Sequence, residues 1–256
     1  MGKYISYIDD ERLFQCINNL YVVYQDAVNS FGLNNFYRNM IDPFKTQFDL
    51  MFLYNGSVEN WVNDEMRRKL DKTVNNAIGE FHQEIIGCLP GLESARLADY
   101  DVKSKDDDSI FVEVKNKYNT MNSRSQDAVF DALSGIARNH RNAKCYLVEV
   151  VAPESKMEVW SYSSHGQMKK HERVYIASVD KFFNMIVGNE NAFKEFCDNL
   201  PRATADFLKN RKALHNNMSA GKVVNVLEER VSKYKVSSVA DVIFEDMFKN
   251  YLGFKK

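Results

Sequence analysis

Asp101, Glu113 and Lys115 are the residues whose types and spacing can do chemistry: eleven residues separate the two carboxylates, and the lysine follows Glu113 by two. Two carboxylates held close together repel unless something positive lies between them. A hard divalent cation with oxygen ligands meets that need, and magnesium, with manganese as a substitute, suits a phosphate-cleaving site. Such an ion polarises a phosphoryl oxygen and activates water. Lys115 would add a positive charge beside the attacking water or the developing charge. Asp-x(11)-Glu-x-Lys is therefore a minimal set for hydrolysing a phosphodiester, with Asp101 and Glu113 as metal ligands. The competing reading is an edge hairpin with solvated charges, because Glu-x-Lys alone is a common triplet.

The elements that must position these side chains can be read around them. Residues 109–115, SIFVEVK, form a strand by alternation, so Glu113 and Lys115 project to one face and Val112 and Val114 to the other. Residues 97–103 are a shorter strand candidate, and a polar turn over 105–108 would fold Asp101 beside Glu113. Before them, Trp61, Met66, Leu70, Val74, Ile78, Phe81 and Ile85 trace a long apolar stripe, as one helix or as two broken near Gly79. It stops at Leu89-Pro90-Gly91. Glu80 and Glu84 are neighbours on that helix. Glu84 borders the apolar face of Phe81, Ile85 and Cys88 and is the candidate to assist the catalytic site, whereas Glu80 and His82 read as solvated or accessory.

Elsewhere, residues 7–28 read as an amphipathic helix, followed by a less regular Phe- and Tyr-rich stretch before Ser57, a candidate helix cap. Residues 125–138 suit a helix, 145–151 (CYLVEVV) a buried central strand, and 157–160 and 174–177 further short strands. Helices are expected over 180–187, 190–209, 220–232 and 238–250. The fold class is α/β: a mixed central sheet flanked by helices, with helical N- and C-terminal extensions. The expected division is a helical region over 1–75, a catalytic core over 76–180 and a helical region over 181–256.

Composition narrows the class. The chain has 256 residues, 45% of them hydrophobic and 27% charged, with a formal net charge of −1. That balance does not itself point to nucleic acid. Basic residues do cluster locally, at Lys115, Lys117, Arg124, Arg138, His140, Arg141 and Lys144 and again over 169–173. Four scattered cysteines without metal-site spacing suggest a reducing compartment. No apolar run reaches the 18 residues needed for a span, and no signal-peptide layout is present. A cytoplasmic protein without a membrane partner is expected.

The run Glu113-Val114-Lys115-Asn116-Lys117-Tyr118-Asn119-Thr120-Met121-Asn122 resembles the type II restriction endonucleases that cleave GGNCC and GGWCC sites. In that family an Ile/Val-Glu-Ile/Val-Lys strand leads straight into Asn-Lys-x-Asn-Thr-Met-Asn. The segment Ile78-Gly79-Glu80-Phe81-His82-Gln83-Glu84-Ile85 also resembles the family's stretch before the sheet, and the likeness covers roughly residues 76–150. It implies the restriction-endonuclease-like core of the PD-(D/E)XK nucleases, double-stranded DNA as substrate and a prokaryotic restriction-modification system. A companion cytosine methyltransferase without stable binding is implied too. Because the target is a short palindrome, a homodimer is expected. Reading G·C pairs favours Lys or Arg against guanine and Asp or Glu against cytosine; Lys117, Asn119, Asn122, Arg124, Arg138 and Arg141 are the DNA-binding candidates. Asn119 and Asn122 have loop capping as an equal alternative. Lys169, Lys170 and Arg173 are candidates for phosphate contacts. No proline precedes the first carboxylate, which leaves Asp99 as a rival to Asp101. Two alternatives of function stand beside this one: a structure-specific repair or replication nuclease of the same fold, and a non-catalytic DNA-binding protein with a decayed nuclease core.

Overall fold

The computed structural model describes residues 2–29, 36–37, 40–95, 100–209, 211 and 220–248. The chain forms two compact units, one of residues 1–21 and 76–213, the other of 22–75 and 214–256.

The first unit is built on a six-stranded sheet. Its strands are β1 (Leu92–Ser94), β2 (Val102–Ser104), β3 (Ile110–Lys117), β4 (Lys144–Val151), β5 (Met157–Ser164) and β6 (Gln167–Ser178). They lie in the order β1-β2-β3-β4-β6-β5. The middle strands β3, β4 and β6 are parallel, while β1 and β2 on one side and β5 on the other are antiparallel. Parallel strands covered on both faces become near-continuous apolar runs, and Cys145 to Val148 of β4 are all buried. The sheet is mixed, helices cover it, and the expected fold class is the observed one.

Alternation sorts the two faces. Val112, Val114, Tyr146, Val148 and Ala177 join one core. The helices on that side are α1 (Asp10–Asn29), the end of α3 (Val58–Gly87), α5 (Val179–Val187) and α6 (Ala192–Leu208). Phe111, Cys145, Leu147 and Val174 face the other way, against Phe130, Leu133 and Ala137 of α4 (Ser123–Asn139). Glu113 and Lys115 therefore share the α4 face of β3.

The second unit packs α2 (Pro43–Phe52), part of α3, α7 (Gly221–Tyr234) and α8 (Val239–Phe248) around Trp61, Val62, Met66, Leu227, Val242 and Ile243. Lys69, 4% exposed, donates to the Phe36 carbonyl and lies 3.5 Å from Glu65.

Two local features differ from the sequence expectation, and between them the structure decides a third that the sequence left open. The Phe-rich stretch contains α2, started by the Asp42 side chain, which accepts from the Phe44 and Lys45 amides, with Pro43 in its first turn. Gly79 does not break α3, which runs unbroken for 30 residues. A single helix glycine costs only about 1 kcal/mol relative to alanine, and the buried side chains of Phe81, Ile85 and Ile86 offset that. The two short strands after residue 155 are parts of a long β5–β6 ribbon. Its tip is a two-residue turn at His165 and Gly166, with φ of 49° and 78°, as a hairpin turn of the primed type requires.

Candidate active site

The hairpin of β2 and β3 pairs Val102 with Val112, which sets Asp101 across from Glu113. The Asp101 amide donates to the Val112 carbonyl at 2.9 Å. The Val114 amide donates back to Asp101 Oδ2 at 2.7 Å, so the carboxylate is fixed from both ends. Lys115 Nζ lies 2.6 Å from Glu113 Oε1, as expected for residues two apart on one strand face. Both side chains remain partly open to solvent, Lys115 at 29% and Glu113 at 18%. Asp99 lies outside the described residues.

The electrostatics follow from this crowding. Burial, then the negative charge of Glu113, push the Asp101 carboxyl up to about 6. The Val114 amide, Lys115 and a hydrogen bond to Gln83 pull the other way without cancelling the effect. A carboxylate pair in this condition is short of positive charge, and an oxygen-only donor set of Asp101 and Glu113 fits a hard divalent cation. Among the described residues, no cluster of three or more His, Cys, Asp or Glu side chains is placed to hold a metal ion.

Glu84 lines an open cavity of about 360 Å³ together with Glu80, Gln83, Ser94, Tyr100 and Asp101. Asn19 of α1 donates to both Glu84 carboxylate oxygens, at 2.9 and 3.0 Å. His82 is not among the cavity's lining residues, and burial holds its imidazole below the ordinary range.

The DNA-binding candidates divide by their surroundings. Lys117, Asn119, Arg124, Arg138 and Arg141 are exposed. Asn122 caps α4, its side chain accepting from the Ser125 amide at 2.9 Å. Lys169 is tied to Asp131 at 2.8 and 2.9 Å. The Arg173 guanidinium donates to the carbonyls of His140, Arg141 and Ala143, while Lys170 is exposed.

The structure adds residues that the sequence did not single out. Gln83 reaches Asp101, and the helical spacing of the apolar stripe gave no signal for it. Glu149 sits beside Lys115 in the β3–β4 register. It is only 5% exposed, and burial raises its carboxyl pKa. An acidic residue inside the apolar run CYLVEVV was the visible clue.

Comparison with known proteins agrees with this architecture. The Eco47II restriction endonuclease family matches residues 5–209. The type II restriction enzyme Sau96I of Staphylococcus aureus is 33% identical over 263 aligned residues, covering 99% of each chain. The type II restriction enzyme Eco47II of Escherichia coli is 26% identical over 216, covering 81% of this chain and 89% of its own. The chain belongs to the Eco47II restriction endonuclease family and is a type II restriction endonuclease.

Proposed function

We propose that this enzyme cuts double-stranded DNA at a short GC-rich palindrome of the GGNCC or GGWCC type, with Asp101, Glu113 and Lys115 at the reacting phosphate. One observation carries the reading: the Asp101 carboxylate, held by the Val114 amide at 2.7 Å, stands across from a Glu113–Lys115 pair on the adjoining strand. Asp101 and Glu113 are the residues that would hold magnesium, or manganese in its place. When bound, such an ion supplies charge stabilisation at the phosphate and lowers the pKa of a water. The chain's own part is positional. The Val114 amide keeps Asp101 aimed and favours its ionised form. Lys115, now paired with Glu113, keeps an ammonium where negative charge grows in the transition state. Glu84, held by Asn19, keeps the adjoining cavity polar.

A palindrome presents both strands equivalently, so a homodimer with one active site per strand is the matching assembly. A companion cytosine methyltransferase would protect the same sites in a prokaryotic cytoplasm without forming a stable complex. The test is digestion of plasmid DNA by the purified protein with magnesium, followed by sequencing of the ends. Uniform ends within a GGNCC or GGWCC palindrome support the proposal. Ends that follow junctions or flaps would favour a structure-specific nuclease, and binding without cutting would favour a decayed core.

A further inference from the structure

The β5–β6 ribbon has a feature that the sheet does not require. Its distal half, residues 161–170, reads SYSSHGQMKK and contains no carboxylate, in a chain with 35 acidic residues. The pairing of β5 with β6 shifts register between Val159 and Ser161, whose partners Tyr175 and Lys170 lie five positions apart on β6 against two on β5. Such a bulge bends a ribbon and re-aims it. The distal half is then fastened to α4 by polar groups. Asp127 takes a hydrogen bond from Tyr162 Oη and another from Ser164 Oγ, both 2.7 Å, and Asp131 takes Lys169. Phe130 packs on Trp160 and Tyr162 at 5.3 and 5.5 Å.

This clasp settles which side chains face outward. Tyr162, Ser164 and Lys169 turn toward α4, and the cross-strand pairs Ser161–Lys170 and Ser163–Met168 take the opposite face. His165 at the tip has Nε2 3.9 Å from Asp127 Oδ2 yet is 88% exposed on its side chain, and Met168 is 71% exposed. Because α4 crosses from the end of β3 back to the start of β4, its first turns, where Asp127 sits, lie at the end of the sheet where β3 finishes in Lys115 and Lys117. Glu113 and Lys115 share the α4 face. A two-stranded ribbon fits the major groove of B-DNA.

We infer that the distal β5–β6 ribbon is a DNA-groove reader, with Ser163, His165, Met168 and Lys170 as its contact surface and Asp127 as the positioning residue that clasps it to α4. Hydroxyl and imidazole groups would meet base edges, the methionine a thymine methyl, and Lys170 a phosphate or a guanine edge. The inference rests on the duplex-DNA reading above.

The test measures binding, in calcium, of a duplex carrying GGACC and of a scrambled duplex, across a salt series. Lys170→Ala is expected to lower the salt slope by about one. Ser163→Ala with His165→Ala is expected to cut the preference for GGACC about 10-fold or more. Asp127→Ala should lose a similar preference while weak binding to both duplexes persists, and Asp127→Asn, which keeps one acceptor, should recover part of it. A clasp of merely structural value would not change the ratio between the two duplexes. The combined Ser163→Ala, His165→Ala, Met168→Ala and Lys170→Ala chain changes only surface residues and should fold as the parent does. If its affinities and preference stay within about twofold of the parent, well below the usual effect of a lost specific contact, the ribbon is not a reader. If the parent itself shows no preference, the palindrome reading fails. The ribbon is then judged on affinity and salt slope alone, and unchanged values overturn it.

Discussion

Replacing Asp101 with asparagine is expected to stabilise the metal-free protein at pH 8 while removing cleavage. The Asp101 carboxyl is pushed from its ordinary value of 3.8 to about 6. A raised carboxyl binds its proton more tightly when folded, so folding stability is lost as pH rises through the window from about 4 to 6. Above it the ionised side chain carries the full penalty, for which about 2 pKa units set a ceiling of about 3 kcal/mol. The side chain borders an open cavity of about 360 Å³. Solvent screening there lowers the expected gain to about 1–2 kcal/mol. Asparagine has the same shape and still accepts from the Val114 amide, so no cavity term opposes the gain. The gain should fall to about half at pH 5 and vanish below about pH 4. The assay is urea unfolding with excess chelator at pH 8 and pH 5. A Trp61→Phe background leaves Trp160, 3% exposed in the sheet unit, as the reporter. An asparagine variant no more stable than the parent at pH 8, or equally stabilised at both pH values, would refute the electrostatic account of the pair.

Three further outcomes are expected. Lys115→Arg should lose about 100- to 1000-fold in single-turnover cleavage, because a planar fork cannot replace a compact ammonium; a rate within about threefold of the parent, with calcium-supported binding unchanged in both, would remove Lys115 from the reaction. Magnesium and manganese should support cutting, and calcium should support binding with little cutting; complete hydrolysis in excess chelator, with no metal by elemental analysis, would contradict the role of Asp101 and Glu113. Sedimentation on a GGACC duplex should find two chains per DNA, and one chain making a double-strand break in a single encounter would overturn the homodimer.

The hairpin of the candidate site was legible because its chemistry and its period coincide. Val112 and Val114 announce a buried face, so Glu113 and Lys115 must share the other, and the apolar run over 145–151 announces a covered neighbouring strand. Other features lack a local signal. The outer ribbon has no apolar alternation, because polar bonds to Asp127 and Asp131 fasten it beside the aromatic contact of Tyr162 with Phe130. Its turn, His165-Gly166, is not the Asn-Gly or Asp-Gly pair that usually marks such a hairpin. Helix α2 was hidden by aromatic residues that stay exposed, among them Phe48 at 53% and Phe52 at 74%. Contacts such as Asn19 with Glu84 join residues 65 apart in the chain, and no periodicity reports them.

The site's register depends on residues that touch none of its charged groups. Side chains alternate along a strand, so a slip of one residue between β2 and β3 would exchange their faces. Asp101 would then lie opposite Val112 or Val114, with its carboxylate against the apolar core rather than beside Glu113. The connection over 105–108 resists that slip. The buried Ser104 hydroxyl accepts from the Ser109 and Ile110 amides at 2.8 and 3.2 Å. Asp107 accepts from Ser109 at 3.1 Å, and Asp108 takes a left-handed φ of 48°. These bonds close the turn at one length, and one length permits one register. The turn closed by Ser104 and Asp107, part of which reads in the sequence as a solvated acidic run, thus holds Asp101 and Glu113 face to face.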